Sequence, residues 1–158
     1  MTERILLVLS VVAAIGSAVI GGLLFAFSTS VMPALSRQPD SSAAATMQSI
    51  NSSIQNPLFL SAFMGTALAC LGVIVLSPFA GSRGSVAMVA AAAVFVVGTF
   101  GVTMLVNVPL NDRLAGLDPI AAQQLWVEYA SRWTVWNHVR TASAVACACV
   151  MVTRSALV

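Results

Sequence analysis

The sequence contains very little charge. Charged residues make up 8 % of the chain, against about 25 % in an ordinary soluble domain. There is no lysine, all seven basic residues are arginines, and the net charge of +2 provides no basic stripe for nucleic acid. Hydrophobic residues account for 59 % of the 158 positions. This composition excludes an ordinary soluble domain and indicates an integral membrane protein.

Side chains for metal and nucleotide chemistry are also scarce. The chain has one histidine and three cysteines, so a haem pair or a histidine-rich metal centre is poorly supplied. Cys147 and Cys149 point to different sides of a helix, which argues against a disulfide or a two-thiolate site. No GxGxxG or Walker motif is present. We therefore expect no metal site and no cofactor, with the cysteines, Cys70 included, as small packing residues.

Four runs of the sequence are apolar and about as long as the ~20 residues that a helix needs to span a bilayer. They cover residues 5–31, 58–77, 86–106 and 133–152. Because lipid offers the backbone no hydrogen-bond partner, each run is predicted to be a helix. The first run is too long for the apolar part of a secretory signal, so we expect it to be retained. The sequence thus predicts an all-α, polytopic four-helix membrane bundle that forms one domain over residues 1–158.

A surface helix is predicted in the first connection. Pro33 is expected to end the opening helix, because proline lacks the backbone N–H that a continuing helix would use. Beyond it, Asp40 or Ser41 is predicted to cap a short helix that lies along the membrane surface. The apolar face of this helix is predicted to consist of Ala44, Met47, Ile50 and Ile54.

The other two connections differ in length. The second, residues 78–85, is rich in glycine and serine and is expected to be a short turn. In the third, Asp118 followed by Pro119 is typical of a helix start. A helix that begins there is predicted to run into the last span and to give it a long N-terminal extension.

Small residues recur at every fourth position of the first two spans. The two series are Ser10, Ala14, Ala18, Gly22, Ala26, Ser30 and Ser61, Gly65, Ala69. Small residues at this spacing let neighbouring helices approach closely in a membrane. We expect both series at helix–helix contacts, within the bundle or between the copies of a homo-oligomer.

Polar residues concentrate at one end of the predicted bundle. NVPLND (107–112) closes the third span, WTVWNHVRT (133–141) opens the fourth, and one connection joins them, so both lie at the same membrane level. A guanidinium in lipid costs about 3 kcal/mol or more, so Arg140 is expected to face inward and to be paired. The candidate site at this end comprises Asn107, Asn111, Trp133, Trp136, Asn137, His138 and Arg140.

Structural explanations of the same residues stay open at this point. An interfacial aromatic belt can account for Trp126, Tyr129, Trp133 and Trp136. Asn107 can cap a helix C-terminus, and Asn111 can stabilise a turn. Helical spacing places Asn137 and Arg140 on one arc, whereas His138 lies about 100° away from Asn137. These side chains cannot all face one narrow seam, so the arc that faces the interior is left open.

Three motifs carry a resemblance to a known family. They are LLFAFSTSVMPAL in the first span, NVPLNDRL after the third, and W-x-x-W-N-H-V-R-T at the start of the fourth. Together they resemble the anthrone oxygenase-like family of small four-helix membrane proteins, many of them bacterial. The family's known activity, in fungal aromatic polyketide pathways, is the oxidation of anthrones to anthraquinones by molecular oxygen. The resemblance implies an oxygenase acting on an anthrone-like or other electron-rich aromatic substrate, without a dedicated metal or flavin.

The residues at the polar end suit such chemistry. An anthrone enolate is electron-rich enough to give an electron directly to oxygen. The protein then has to supply a base, a cation for the enolate oxygen, flat apolar walls and shelter from water. His138 is the candidate base, and Arg140 is the candidate partner of the oxyanion. The other five residues are predicted to bind the substrate, the tryptophans by stacking on its rings: Asn107, Asn111, Trp133, Trp136 and Asn137.

Two further functions would use the same residues without turnover. One is the binding of a quinone or lipid, and the other is a structural or accessory role in which Asn137 and Arg140 join helices. The expected partners are an apolar aromatic small molecule and lipid, with no nucleic acid. Arginine counts on the two sides of the membrane nearly tie, and most acidic residues lie on the side opposite the termini. We favour a bacterial plasma membrane with both termini in the cytoplasm.

Overall fold

The structure, a computed structural model, describes residues 1–80 and 86–155. Most of the predicted turn at 78–85 therefore lies outside the described residues. Within these two ranges the chain forms five helices and no strand, which confirms the all-α prediction. The helices are α1 (Thr2–Leu35), α2 (Asp40–Ile54), α3 (Pro57–Phe79), α4 (Val86–Ala115) and α5 (Pro119–Ser155).

Three of the described helices, α1, α3 and α4, are long and apolar enough to cross a membrane. The chain is therefore an integral membrane protein, as its composition predicts. With 37 residues, α5 is long enough, but it is not one of the three, because Asn137, His138 and Arg140 lower its hydropathy. The fourth predicted span thus exists as part of a helix that is more polar than the other three.

The four long helices form a bundle in which each packs against two neighbours, in the order α1, α3, α4, α5. The short helix α2 lies against α5 and the end of α4. Nε2 of Gln48 donates there to the backbone oxygens of Leu114, at 2.8 Å, and Leu117, at 3.3 Å. Met47 is fully buried at the same contact, so the apolar face predicted for α2 packs on the bundle.

The two predicted helix starts have different outcomes. Oδ1 of Asp118 accepts from the backbone N–H groups of Ile120, at 2.9 Å, and Ala121, at 3.0 Å, which confirms the predicted start of α5. The predicted capping of α2 by Asp40 or Ser41 is wrong. Because α2 begins at Asp40 itself, that carboxylate lies inside the first turn and not in front of it, where a cap has to be.

The prediction that Pro33 ends the opening helix is wrong, because α1 continues beyond it. The helix α4 likewise runs through Pro109. A π-helical segment comes directly before each proline-containing turn, over Phe27–Val31 in α1 and Thr103–Asn107 in α4. In a regular α-helix the proline ring clashes with the carbonyl four residues earlier. The wider π-helical turn gives the ring room, so both helices pass their prolines.

Two groups of buried apolar side chains fill the molecule. The bundle core lies between the four long helices and includes Ile20, Phe63, Phe95, Ala144 and Met151. The cap core lies under α2 and includes Phe27, Leu35, Met47, Leu114, Trp126, Tyr129 and Trp133. Cys70 and Cys147 are buried in the bundle core, whereas Cys149 is exposed, so the two cysteines of α5 do point to different sides.

The small-residue series lie at helix contacts only in part. Ser10 and Ala14 are buried, but Ala18 and Gly22 are exposed, so only part of the series lies at a contact within the bundle. A spacing of four residues overshoots a full helical turn by about 40°, so the series drifts around the helix. The close approach of α1 to α3 occurs instead at Gly16, where an added Cβ would collide with the Thr66 side chain.

Candidate functional site

The polar end of the bundle is built where π-helical segments face α5. These segments are Phe27–Val31 in α1, and Phe95–Gly101 and Thr103–Asn107 in α4. Segments of this kind are rare and frequently occur at functional sites. Their polar side chains that reach α5 are Ser28, Thr99, Thr103 and Asn107. All four form hydrogen bonds to residues between Trp133 and Arg140.

Arg140 is buried at this end, with 5 % of its surface exposed. Its Nη2 donates to Oδ1 of Asn137 at 2.7 Å, and its Nη1 donates to Oγ1 of Thr103 at 3.3 Å. The guanidinium carbon lies 4.9 Å from the centre of the Trp133 ring, in a cation–π contact. The Nε–H has no hydrogen-bond partner, and no carboxylate pairs with Arg140 in the described part of the chain. Arg140 thus faces inward as predicted, but its partners are neutral, so the site contains a buried cation whose charge is not neutralised.

Asn137 is fully buried and uses its whole amide group. Nδ2 donates to the backbone oxygen of Leu24 and to Oγ of Ser28, both at 2.8 Å, while Oδ1 accepts from Arg140. The orientation of the amide follows from these partners, because a carbonyl requires a donor and a guanidinium requires an acceptor. Asn137 thus connects Arg140 to α1.

His138 is exposed on the outer side of α5. Its Nδ1 lies 3.0 Å from Oγ of Ser28, the oxygen that also accepts from Asn137. The ambiguity left by helical spacing is thereby resolved: Asn137 and Arg140 face the interior, and His138 faces outward beside α1. Ser28 joins the interior group to the exposed one.

A second set of hydrogen bonds surrounds Asn111. Its Oδ1 accepts from the hydroxyl of Tyr129 and from Nε1 of Trp133, both at 2.9 Å. The Tyr129 oxygen accepts in turn from Nδ2 of Asn51 on α2, at 3.3 Å. Burial raises the pKa of Tyr129 above its ordinary value, so the phenol remains a donor. Asn111 therefore ties α4 to α5, and the alternative that it stabilises a turn is wrong.

The aromatic residues of this end are mostly buried. Trp126, Tyr129 and Trp133 are 3 %, 1 % and 4 % exposed, and the ring centre of Trp133 lies 5.4 Å from that of Phe27. An interfacial belt requires rings that face the lipid and headgroups, so that alternative is wrong for these three residues. Trp136 is half-buried and is the more exposed tryptophan of the WTVWNHVRT motif.

Asn107 is fully buried on α4, and its Nδ2 donates to the backbone oxygen of Trp133 at 3.3 Å. The helix continues beyond this residue, so the alternative of a C-terminal cap is wrong. Oδ1 of Asn107 has no hydrogen-bond partner. The polar end therefore has an unpaired buried acceptor, Oδ1 of Asn107, and an unpaired buried donor, Nε of Arg140. Each lowers the stability of the fold by about 1–3 kcal/mol. Such atoms call for an explanation, and a bound ligand or water is one.

The sequence predicts that most of these residues lie at one end of the bundle, but it does not predict the hydrogen bonds that link them. Trp133, Asn137 and Arg140 are brought together as expected, and His138 is joined to them through Ser28. The roles of five further residues were not predicted: Ser28, Asn51, Thr99, Thr103 and Tyr129. The signal for Thr99 and Thr103 was available, because both are hydroxyl residues one turn apart in an apolar run. In the described ranges, no three His, Cys, Asp or Glu side chains are grouped to hold a metal ion.

The sequence model of a family described as anthrone oxygenase matches residues 47–150, about two thirds of the chain. The matched region begins within α2 and contains the NVPLNDRL and WTVWNHVRT motifs, whereas LLFAFSTSVMPAL lies before it. This match confirms the resemblance found from the motifs. No curated protein and no solved structure matches the chain.

Proposed function

Because the chain belongs to the anthrone oxygenase family, we propose that it is a membrane-embedded oxygenase. Its substrate is an anthrone-like or other electron-rich aromatic compound, its oxidant is molecular oxygen, and it uses no dedicated metal or flavin. The observation that carries this proposal is the buried Arg140, which is linked through Asn137 and Ser28 to the imidazole of His138. Arg140 has no carboxylate partner among the residues that the structure describes.

The proposed reaction balances with oxygen as the sole oxidant. A base removes a proton from the methylene carbon, and the electron pair left behind forms the enolate. The enolate gives one electron to oxygen, and the resulting radical and superoxide combine and take up a proton to form a hydroperoxide at that carbon. Cleavage of the O–O bond and of the remaining C–H bond then releases water and leaves a carbonyl. One oxygen atom enters the quinone, and the other leaves as water.

His138 is the proposed base, and its exposed position suits a sparingly soluble substrate that arrives through the bilayer. Arg140 is the proposed partner of the enolate oxygen, because its charge is not neutralised and its Nε–H is unpaired. A donor to a developing oxyanion contributes about 3 kcal/mol. The burial of Arg140 means that substrate contact requires local opening of the helices, and the π-helical segments of α1 and α4 are where we expect it.

The remaining predicted site residues fall into two groups in this proposal. Trp136, which is half-buried, and the unpaired Oδ1 of Asn107 are available for direct contact with the substrate. Asn111, Trp133 and Asn137 are bonded within the protein. They would act on the substrate by fixing the positions of the Trp133 ring and the Arg140 guanidinium.

The test is oxygen uptake by the purified protein in lipid nanodiscs with a simple anthrone. We expect uptake above the spontaneous rate, with one atom of isotopically labelled oxygen in the quinone product. His138→Ala is expected to lower the protein-dependent rate by about 100-fold or more, as for the loss of a general base. Uptake no faster than the spontaneous rate would contradict the proposal. Full activity in His138→Ala would contradict the assigned base while leaving the oxygenase in place.

One observation favours a second function without catalysis. Asn137 and Arg140 bond mainly to each other and to neighbouring helices, as they would in a quinone-binding, lipid-binding or accessory membrane protein. For such a protein we expect a co-purifying aromatic compound or lipid, or a stable protein partner after gentle detergent extraction, with no oxygen uptake.

The proposal includes the setting of the protein. We infer a bacterial plasma membrane with both termini in the cytoplasm, an apolar aromatic substrate and lipid as partners, and no nucleic acid. The exposed small residues Ala18, Gly22 and Ala26 of α1 are the proposed contact face of a homo-oligomer. Labelling of single cysteines introduced near either terminus, with an impermeant thiol reagent on intact cells, tests the orientation, and labelling from outside would contradict it.

A further inference from the structure

We propose that Ser28 is a further catalytic residue, which carries the substrate's proton to His138; this inference rests on the proposed function. Ser28 belongs to the FAFSTS stretch, lies on the π-helical segment of α1 and is half-buried. Its Oγ is 2.8 Å from Nδ2 of Asn137 and 3.0 Å from Nδ1 of His138. One hydroxyl therefore stands between the buried network and the exposed imidazole.

The direction of the Ser28 proton follows from its two partners. Nδ2 of Asn137 is a donor, because the other amide atom, Oδ1, accepts from Arg140. Ser28 thus accepts a hydrogen bond from Asn137 and has one proton of its own to donate. Among the described residues the remaining partner within reach is Nδ1 of His138, and in the proposed relay the O–H points to that nitrogen.

The backbone of α1 does not compete for this proton. Serine and threonine in helices commonly donate to the carbonyl four residues earlier, as Ser10 does at 2.7 Å and Thr29 at 2.9 Å. For Ser28 that carbonyl belongs to Leu24, and it receives Nδ2 of Asn137 at 2.8 Å instead. Asn137 thus takes the place of Ser28 at the Leu24 carbonyl, and the Ser28 hydroxyl is left to bond to the imidazole of His138.

The result is a chain of hydrogen bonds in which every donor points toward His138. Arg140 donates to Asn137 and Asn137 donates to Ser28, and in the proposed relay Ser28 donates to His138, whose Nδ1 lies 3.0 Å away. Each bond in such a chain polarises the next, so the guanidinium charge strengthens the last donor. Neutral His138 then carries its hydrogen on Nε2 and directs the lone pair of Nδ1 at Ser28.

This tautomer dictates the route of the proton. Because Nε2 already carries hydrogen, Nδ1 is the atom of His138 that can accept a proton, and Oγ of Ser28 stands in front of it. In the proposed step, the methylene proton goes to Oγ of Ser28 while the serine's own proton goes to Nδ1. The electron pair stays on the substrate as the enolate. The imidazolium later returns the proton by the same route to the peroxide, which restores both residues.

The tautomer can be measured without turnover, because the chain has one histidine. With isotopically labelled histidine, magnetic resonance at a pH where imidazole is neutral gives one signal from each ring nitrogen. We expect Nε2 to carry the proton and Nδ1 to be a hydrogen-bonded acceptor. Ser28→Ala is expected to shift the Nδ1 signal and Ser28→Thr to preserve it. Ser30→Ala, which removes an exposed hydroxyl on the same segment, is the control. A proton on Nδ1 in the unsubstituted protein, or an unchanged Nδ1 signal in Ser28→Ala, would overturn the proposal.

Oxygen uptake separates the relay from the oxygenase itself. Ser28→Ala is expected to lower turnover by about 100-fold or more, and the double variant with His138→Ala is expected to lose no more than either single variant, because the pair acts as a unit. Ser28→Thr retains the hydroxyl and is expected to retain most activity. Loss in His138→Ala with full activity in Ser28→Ala would overturn the relay and leave the oxygenase standing. If the unsubstituted protein shows no turnover, both the oxygenase and the relay are contradicted. The histidine signals then still show whether Ser28 donates a hydrogen bond to His138.

Discussion

The two halves of the bundle are held together by different interactions. In the bundle core the helices meet through apolar side chains and at glycines, such as Gly16 against Thr66 and Gly72 against Leu9. At the polar end they meet through hydrogen bonds from Asn137 and Arg140. Close packing of small residues is sufficient to hold membrane helices together, whereas a buried guanidinium is costly. The polar end thus contains more polarity than the bundle requires, and this excess points to function.

The halves also differ in helix regularity. The π-helical segments described in α1 and α4 supply the side chains that bond to the polar part of α5. The helix α3 packs in the bundle core. Its described part is α-helical over Pro57–Leu76 and ends in a 3-10 turn over Ser77–Phe79. Irregular backbone therefore accompanies the polar contacts, where a change in helix geometry can move side chains relative to a substrate. One of these segments, Phe95–Gly101, also reaches the bundle core through Phe95.

The largest effect is expected from neutralising the buried cation of the polar end in place. Oγ1 of Thr103 accepts from Arg140, so Thr103→Asp sets a carboxylate beside the guanidinium. We expect the fold to persist, because the charge gains a partner. We expect oxygen uptake with an anthrone to fall about 100-fold, because an oxyanion partner worth about 3 kcal/mol is lost.

The matched control for this change is Thr103→Asn, because the asparagine side chain has nearly the same shape as that of aspartate but carries no charge. It is expected to keep most of the activity, and thermal unfolding of both variants reports on the fold. An equal loss of oxygen uptake in the two variants would show that charge at this position is not what matters.

A smaller effect, on stability alone, is expected in the bundle core. A Cβ added at Gly16 would collide with Oγ1 of Thr66, and rotating that side chain brings no relief because its Cβ and Cγ2 lie 3.0 Å away. Gly16→Ala is expected to cost about 1–3 kcal/mol of stability through overpacking. Gly22→Ala is the control, since nothing lies within 4 Å of an added Cβ there. Thermal unfolding measures the stability of both variants. A lower turnover per folded molecule in Gly16→Ala would contradict the separation of a structural bundle core from a functional polar end.

The smallest effect is expected at Tyr129, in the cap core. Tyr129→Phe removes the hydroxyl that joins Asn51 to Asn111, at a cost of about 1 kcal/mol. Burial raises the pKa of Tyr129, and an unfolded tyrosine ionises near pH ~10. The contribution of this group to stability is therefore complete below that pH and is lost as the pH rises above it.

Two measurements check this pH dependence. The chain has one tyrosine, so phenolate absorbance reports on Tyr129 alone and is expected to appear only as the protein unfolds. The unfolding temperature is expected to fall above pH ~10, with a shallower decline in Tyr129→Phe. Phenolate absorbance near that pH in the folded protein would contradict the burial argument.

The helices follow from the sequence because their cause is local. Long apolar runs predict the membrane helices, Asp118 predicts the start of α5, and the period of α2 predicts the face that Met47 buries. The continuation of α1 past Pro33 and of α4 past Pro109 does not follow from the sequence, because a π-helical segment has no compositional signature. The small residues of α1 lie at contacts within the bundle only in part, since a four-residue spacing drifts around a helix.

The site follows from the sequence only in part, for a related reason. The high cost of a guanidinium in lipid predicts that Arg140 faces inward, and the structure agrees. The contact between Ser28 and His138 joins residues 110 positions apart. It depends on how α1 packs against α5, and helical spacing within α5 cannot supply that information.

The claim that the buried cation is the centre of the site is tested most directly by one comparison of oxygen uptake, between Arg140→Ala and Arg113→Ala. Arg113 is an exposed arginine that pairs with Glu128 at 3.6 Å, so its replacement controls for the loss of an arginine elsewhere. With an anthrone as substrate, we predict a loss of about 100-fold or more for Arg140→Ala and nearly full uptake for Arg113→Ala. Full uptake by a folded Arg140→Ala protein would contradict the account.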